Sequence, residues 1–517
     1  MEDKNRNLRK VIVGEIDPLR PFQDGKVLML VGATGAGKST LINGFVNYIR
    51  GVSYESDFRY KLVDDVETRS QAQSQTQWIT AYTFPKQDQS KLPYTFTIID
   101  TPGYGDTRGL DRDKKITEQI KVFFNLKGKQ GVDHLDGIGF VVNASLCRLS
   151  PSQKYIFDAI LSIFGKDFRK NIFLMVTFAD GKKPPVLAAI KASGFEYQHV
   201  FKFNNSALYP ADDDDDDDQF NAMFWKMGEK SVENFLEVFK ETERVSLKLT
   251  KEVLEEREQL ECLVQGVQVQ IRAGLCKVDE LDQEKRVLKR HEKDMETNRD
   301  FTYEIEETRQ RKVDLDVGVY VTNCLKCNFT CHYPCMIPND KDKSSCAAMG
   351  DRHTAEAHCD VCPKKCHWSS HVNNRYRFEL YKENIQKTSD ELKSRYTIAK
   401  GKKTQKERIM AALEEDLKTK YRGVYYNIFR AKTSLERLDE IALRPNPLTE
   451  VGYIDILIHS EKMEAKPGFI GRVEALSKVR QQAQVLSKIK DQQQFMKSCE
   501  DAVVSVWASI KGFLGGK

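Results

Sequence analysis

Two groups of residues in this sequence have types and spacings that could do chemistry. The first is Gly32-Ala33-Thr34-Gly35-Ala36-Gly37-Lys38-Ser39-Thr40, which follows the apolar run Val27 to Val31 and precedes a helical pattern, Leu41 to Ile49. Glycines let a main chain curl until its N–H groups converge on phosphate oxygens, and the following helix adds its positive N-terminal end. At such a loop Lys38 neutralises the outer phosphates and the Ser39 hydroxyl ligates magnesium. Downstream, Asp100-Thr101-Pro102-Gly103 closes another apolar run. There Asp100 is placed to reach the magnesium shell and the Gly103 N–H to sense the terminal phosphate.

The second group is metal-like. Eight of the twelve cysteines lie between Cys324 and Cys366, and five of the nine histidines lie between His332 and His371. The order is Cys324-x2-Cys327-x3-Cys331-His332-x2-Cys335, then Cys346, then His358-Cys359-x2-Cys362-x3-Cys366-His367. In a reducing compartment such a cluster points to zinc rather than disulfides, and it holds enough ligands for one or two tetrahedral sites. The favoured pairing joins Cys324 and Cys327 to Cys359 and Cys362. The second set draws on Cys331 or His332, Cys335, Cys366, and His371 or His367. Closed sites of this kind are structural, so no zinc chemistry is expected.

These groups need elements to position them. A chain of 517 residues is long enough for several domains. From Lys26 to about Phe239 apolar runs alternate with helical stretches, as an α/β domain requires. Val27 to Val31, Tyr94 to Ile99, Ile138 to Val142 and Ile172 to Val176 read as buried strands, and Trp78 to Phe84 as an antiparallel edge strand. Residues 1–25 form an N-terminal extension and 26–240 the nucleotide-binding domain. From 241 to 316 the chain is rich in Lys, Glu and Arg, has no proline, and spaces Val253, Leu260, Val267, Leu281, Leu288 and Met295 by sevens. That is a coiled-coil seam, which Val264, Ile271 and Val278 partly complete. Residues 317–375 form the Cys/His module, 376–443 a return helical arm, and 444–517 a helical C-terminal region. Two such arms of roughly 70 residues make a hairpin of about 100 Å with the zinc module at its tip.

Charged residues make up 30% of the chain and the net charge is only +5, so no global basic field argues for nucleic acid. No apolar run is long enough for a membrane span, no secretory leader is evident, and a cytoplasmic location is expected. The last helical stretch aligns Val503, Trp507, Ile510 and Leu514, a stripe that reads as a packed terminal helix before a membrane-surface anchor.

The order of the phosphate motifs resembles the septin-like and immunity-associated GTPases, over roughly residues 25 to 240. That resemblance implies a doubly wound, mostly parallel sheet, GTP or GDP with magnesium as ligand, and dimerisation across the nucleotide face. It also implies a base-reading motif, for which Thr177-Phe178-Ala179-Asp180 stands, with Asp180 facing guanine N1 and N2 and Phe178 able to stack on the base. Asn205-Ser206-Ala207-Leu208 resembles the last base-contacting loop, with the Ser206 and Ala207 amides near guanine O6. A threonine is implied for the magnesium and terminal phosphate, and Thr76 is chosen over Thr68. With Lys38 and Gly103 it completes the residues expected to act on the terminal phosphate. The family pattern departs at Tyr104, where many GTPases carry a water-orienting glutamine, and this implies slow intrinsic hydrolysis.

The expected function is therefore a GTP-binding, slowly hydrolysing switch or assembly factor, a homo-oligomer through this domain and the coiled coil. Two rivals stand beside it. One is a coiled-coil scaffold with nucleotide as a folding cofactor. The other is a zinc-hook ATPase, which needs a second nucleotide half not seen after Leu443.

Overall fold

The computed structural model describes residues 2–3, 7–15, 25–63, 77–87, 91–92, 94–105, 109–126, 131–209, 218–290, 300–388, 426–427, 429–445, 449–465 and 469–490. They divide into two compact units, 1–254 with 438–481, and 255–437 with 482–517. Thr76, Thr68 and the Val503 to Leu514 stripe lie outside the described residues. Among the described residues no helix is long and apolar enough to cross a membrane.

The first unit is built on an eight-stranded sheet. Its strands are β1 (Glu2–Asp3), β2 (Leu8–Ile12), β3 (Lys26–Gly32), β4 (Ile79–Phe84), β5 (Phe96–Asp100), β7 (Gly137–Asn143), β8 (Ile172–Thr177) and β9 (His199–Lys202), in the order β1-β2-β4-β5-β3-β7-β8-β9. The short β6 (His134–Leu135) pairs apart from it with β10 (Val245–Ser246). β4 runs antiparallel to β5, as expected, but is not an edge. The N-terminal extension adds β2 parallel to β4, pairing Leu8 with Ile79 through Ile12 with Thr83.

Strand period decides how the core fills. In β7, Val141 joins a buried cluster with Phe45 and Val46 of α1 (Lys38–Ile49) and Phe235 and Phe239 of α5 (Asp218–Lys240). Its neighbour Phe140 meets Phe157 of α3 (Pro151–Leu161) at 4.7 Å between ring centres. Helices thus cover the sheet with both kinds of β7 residue, as in a doubly wound fold. The remaining helices of the domain are α2 (Leu110–Asn125) and α4 (Val186–Ala192). A helix α8 (Val451–Glu464) packs on α3, where Tyr453 donates to the Pro151 carbonyl (3.5 Å), and the Leu443 N–H donates to the Phe164 carbonyl (2.9 Å). The last described helix is α9 (Phe469–Lys490).

The second unit departs from a helical hairpin. Its helix α6 (Lys248–Arg290) is the first arm, but residues expected to extend it form strand β11 (Thr302–Asp314), and the start of the return arm forms β15 (Tyr376–Thr388). The two pair antiparallel from Thr302–Thr388 to Asp314–Tyr376. The reason is visible in Tyr376, Phe378 and Leu380, which alternate with Arg377 and Glu379: a period of two stabilises a ribbon and cannot keep one face of a helix apolar. The ribbon is held to α6 by the Glu280 and Gln283 side chains, which accept from the Thr308 and Glu306 N–H groups at 2.7 and 2.9 Å. Helix returns at 429–441, here α7.

Because the ribbon turns the chain back, the Cys/His module packs along α6 instead of standing at a far tip. It is built on β12 (Tyr320–Cys324), β13 (Phe329–Cys335) and β14 (His371–Val372). Its Asp360, only 5% exposed, accepts from Gln259 of α6 (3.2 Å), Tyr426 (2.9 Å) and Arg430 of α7 (3.0 Å). One carboxylate therefore ties the module to both helices. Asp360→Ala removes the acceptor and leaves a guanidinium partly buried without its partner. It should cost about 2 kcal/mol, below the full penalty of a buried pair because Arg430 is partly exposed. Urea unfolding followed on the second unit checks this, and an unchanged midpoint contradicts it.

Candidate functional site

β3 delivers the glycine-rich loop and α1 leaves it. Gly37 holds φ +90°, a backbone region that a side chain disfavours, and a Cβ there would lie 3.3 Å from Thr177. The helix it caps has no acid in its first turn and no side-chain cap. Its free N–H groups and positive end thus face the loop, the arrangement that favours an anion. Lys38 is buried and folds back on the loop, donating to the Gly32 and Ala33 carbonyls at 3.3 and 3.0 Å. Burial pulls the ammonium down to about 8, against the opposing pull of the nearby Asp100 carboxylate.

Asp100, also buried, ends β5 beside β3, and Thr101 ties the two by donating from its hydroxyl to the Leu30 carbonyl (2.8 Å). Gly103 then presses on the loop: a Cβ would stand 2.6 Å from the Thr34 Cα. The next residue clips the two motifs together. The Thr34 N–H donates to the Tyr104 carbonyl (3.0 Å) and the Tyr104 N–H to the Gly32 carbonyl (3.2 Å). The Tyr104 ring lies in the core, with its hydroxyl 3.0 Å from that of Thr117.

Thr177 closes the other side by donating to the Ala36 carbonyl at 2.7 Å. Phe178 adopts φ +54° and stands 60% exposed beside Gly37. A large apolar ring is thus held in a disfavoured backbone region and left in solvent at the edge of the loop. Asp180 accepts from the Lys182 N–H (3.0 Å) at the surface. Asn204, not anticipated from sequence, joins the two base-side loops. It donates to the Ala179 carbonyl (2.9 Å) and accepts from the Ser206 N–H (3.0 Å), with Ala207 buried next to it. The structure therefore gathers Gly32 to Thr40, Asp100, Gly103, Thr177, Asp180, Ser206 and Ala207 around one end of the sheet. Thr76 lies outside the described residues. Also unforeseen, Asn43 and Asn47 of α1 pin the Tyr60 to Val63 segment, Asn43 accepting from the Val63 N–H at 2.9 Å and Asn47 from the Tyr60 N–H at 2.8 Å.

A septin family model matches residues 25–123. This stretch, which holds the glycine-rich loop and Asp100, is similar to the septins. No curated protein matches the chain. Among solved structures, Toc33 from Arabidopsis thaliana in complex with Mg2+ and GMPPNP is 15% identical over 43% of this chain and 88% of that one, with a TM-score of 0.29. A structure described as showing that dimerization is important for the GTPase activity of the chloroplast translocon components atToc33 and psToc159 is 17% identical, covering 43% and 85%, at 0.29. The S. cerevisiae Ski7 GTPase-like domain bound to GTP is 16% identical, covering 39% and 50%, at 0.25.

In the Cys/His module the sulfurs gather differently from the expected pairing. Cys324, Cys327, Cys362 and Cys366 form one group, and Cys331, Cys359, Cys362 and His371 another. His332, Cys335 and Cys346 form a third. Cys366 thus takes the place expected for Cys359, and Cys346 joins as a ligand position. His367 is engaged elsewhere, with Nδ1 2.8 Å from the Ser369 hydroxyl and Nε2 2.8 Å from the Ala355 carbonyl. The sequence order could not show this, because the fold brings together ligands far apart in the chain, such as Cys327 and Cys366. A hydrogen bond with Cys346 holds the Cys335 thiol down to about 3, and one with Cys324 holds Cys362 at about 5, the thiolate form that metals take.

The lowered Lys38 pKa has a consequence for ligand binding. A phosphate beside the ammonium raises its pKa, so affinity is full below the free-state value near 8 and falls as pH rises through it. Between that point and the bound-state pKa the affinity for magnesium–GTP should drop by up to about tenfold per pH unit. Titrations from neutral to alkaline pH check this, and a flat profile contradicts it.

Proposed function

We propose that this protein binds GTP with magnesium at the P-loop, hydrolyses it slowly, and uses the nucleotide state to control its own assembly. The observation that carries the reading is Lys38: a buried ammonium at the uncapped start of α1, next to the buried Asp100. Both charges gain their natural partners when a magnesium triphosphate enters, Lys38 at the outer phosphates and Asp100, with Ser39 and Thr76, at the metal. The septin match over residues 25–123 supports the same ligand.

Slow turnover follows from Tyr104. The side chain that follows Gly103 is committed to the core and to Thr117, so this position offers nothing to orient a water. A group from a second copy of the chain, docked across the nucleotide face, supplies what is missing, in keeping with the septin-like pattern. The Cys/His module carries structural zinc and presents the helical unit to a partner. No nucleic acid is expected, and the location is cytoplasmic. The scaffold alternative would show copurified nucleotide that neither exchanges nor turns over.

Base recognition is assigned to Phe178 by stacking and to Asp180 by accepting from guanine N1 and N2. Phe178→Ala should weaken GTP and ATP binding alike, by about tenfold given the worth of one base stack. Asp180→Ala should weaken GTP alone and erase the preference over ATP. Hydrolysis per mole should rise with protein concentration. Side-by-side titration and turnover with both nucleotides, over a hundredfold range of protein, checks all three. Equal affinity for GTP and ATP in the unsubstituted chain overturns the guanine assignment, and a flat specific activity overturns the dimer.

A further inference from the structure

The three groups of ligands in the Cys/His module are arranged too specifically for the one or two independent metal sites that spacing suggests. In the first, the Cys327 and Cys366 sulfurs stand 3.7 Å apart. In the third, Cys335 and Cys346 are 3.9 Å apart, and Cys346 is 3.3 Å from His332 Nδ1. A tetrahedral zinc with bonds of about 2.3 Å sets its sulfurs about 3.8 Å from one another. A disulfide would need about 2.05 Å. Within each of the three groups the ligand atoms lie within 4.8 Å of one another, and nearly all of the residues are buried.

We propose that the module binds three zinc ions, two of them sharing the Cys362 thiolate and the third held by His332, Cys335 and Cys346. It rests on the reading of the module as a zinc site and goes beyond it in number and in the bridging ligand. Cys362 belongs to both four-ligand groups, Cys324–Cys327–Cys366 on one side and Cys331–Cys359–His371 on the other. One sulfur that serves two tetrahedra makes a binuclear cluster.

Main-chain donors are arranged for thiolates. The Val361 and Cys362 N–H groups both donate to the Cys359 sulfur at 3.3 Å, and the Cys366 N–H donates to Cys362 at 3.3 Å. His371 donates from Nδ1 to the His367 carbonyl (3.1 Å), which leaves Nε2, buried and without a hydrogen-bond partner, for the metal.

The third group brings three ligands, His332, Cys335 and Cys346, within 4.8 Å of one another. Lys343 supplies an independent sign that this site is anionic. It is completely buried, and its ammonium reaches the Val321 and Ile337 carbonyls (3.0 and 2.7 Å) and the Cys335 sulfur (3.8 Å). A buried ammonium among carbonyls and a sulfur is costly unless that sulfur is a thiolate. Lys343 thus offsets the charge of the Cys335 thiolate at this site.

The test uses the full chain purified with zinc. Metal analysis should give three zinc ions per chain. Reconstitution with cadmium should give three cadmium NMR signals, two of them coupled to each other through the shared sulfur. Cys346→Ser should lower the zinc count to two, and Cys362→Ser to one, while Cys147→Ser, an exposed thiol, leaves it at three. Nucleotide binding by each variant reports whether the first unit remains folded. The cadmium spectrum of the unsubstituted chain tests the shared sulfur without any variant. Two uncoupled signals, or an unchanged count in Cys346→Ser, overturn the proposal. A folded chain with no bound metal would overturn the zinc reading beneath it as well.

Discussion

The buried ammonium of Lys38 is the constraint on which the first unit turns. A lysine out of water needs an anion or a full set of acceptors, and here two carbonyls of its own loop serve, at 3.3 and 3.0 Å. For those carbonyls to be in place the loop must curl, which needs Gly37 in a left-handed conformation, and the curl must be held. It is held from one side by the Tyr104 main chain and from the other by the Thr177 hydroxyl. The sheet order serves the same demand: β5, which flanks β3, leads into Tyr104, and β8, one strand beyond β7, ends in Thr177.

The second unit meets a similar difficulty with sulfur. Its buried cluster consists largely of cysteines and alanines around Met349, Val361 and Phe329, a core too small to fix three short strands and their loops by apolar burial. On the proposed zinc reading, metal bonds would stand in for the missing apolar area. Asp360 joins this module to helices α6 and α7 with charged hydrogen bonds.

Much of the first unit is legible in the sequence because its signals are local. A glycine-rich loop between an apolar run and a helical pattern, and apolar runs ending in Asp100 and Thr177, identify themselves within a few residues. β2 escapes such a reading because Leu8-Arg9-Lys10-Val11-Ile12 is short and charged, and only its parallel pairing with β4 makes it a strand. The position of Tyr104 can be read, but that its ring leaves the site for the core depends on Thr117, thirteen residues away.

In the second unit, high charge and missing proline suggest helix through 302–314 and 376–388, and that composition masks the period of two in Tyr376, Phe378 and Leu380. Cys262 has no neighbouring cysteine or histidine to mark it, so its burial in the same cluster as Cys335 and Cys346 becomes visible only in the folded unit. The measurement that bears most directly on the whole account is calorimetry of the full chain with magnesium and a non-hydrolysable GTP analogue. The account predicts one binding event per chain that disappears in Lys38→Ala. Equal heat from the folded variant and the unsubstituted chain, or no heat from either, would contradict it.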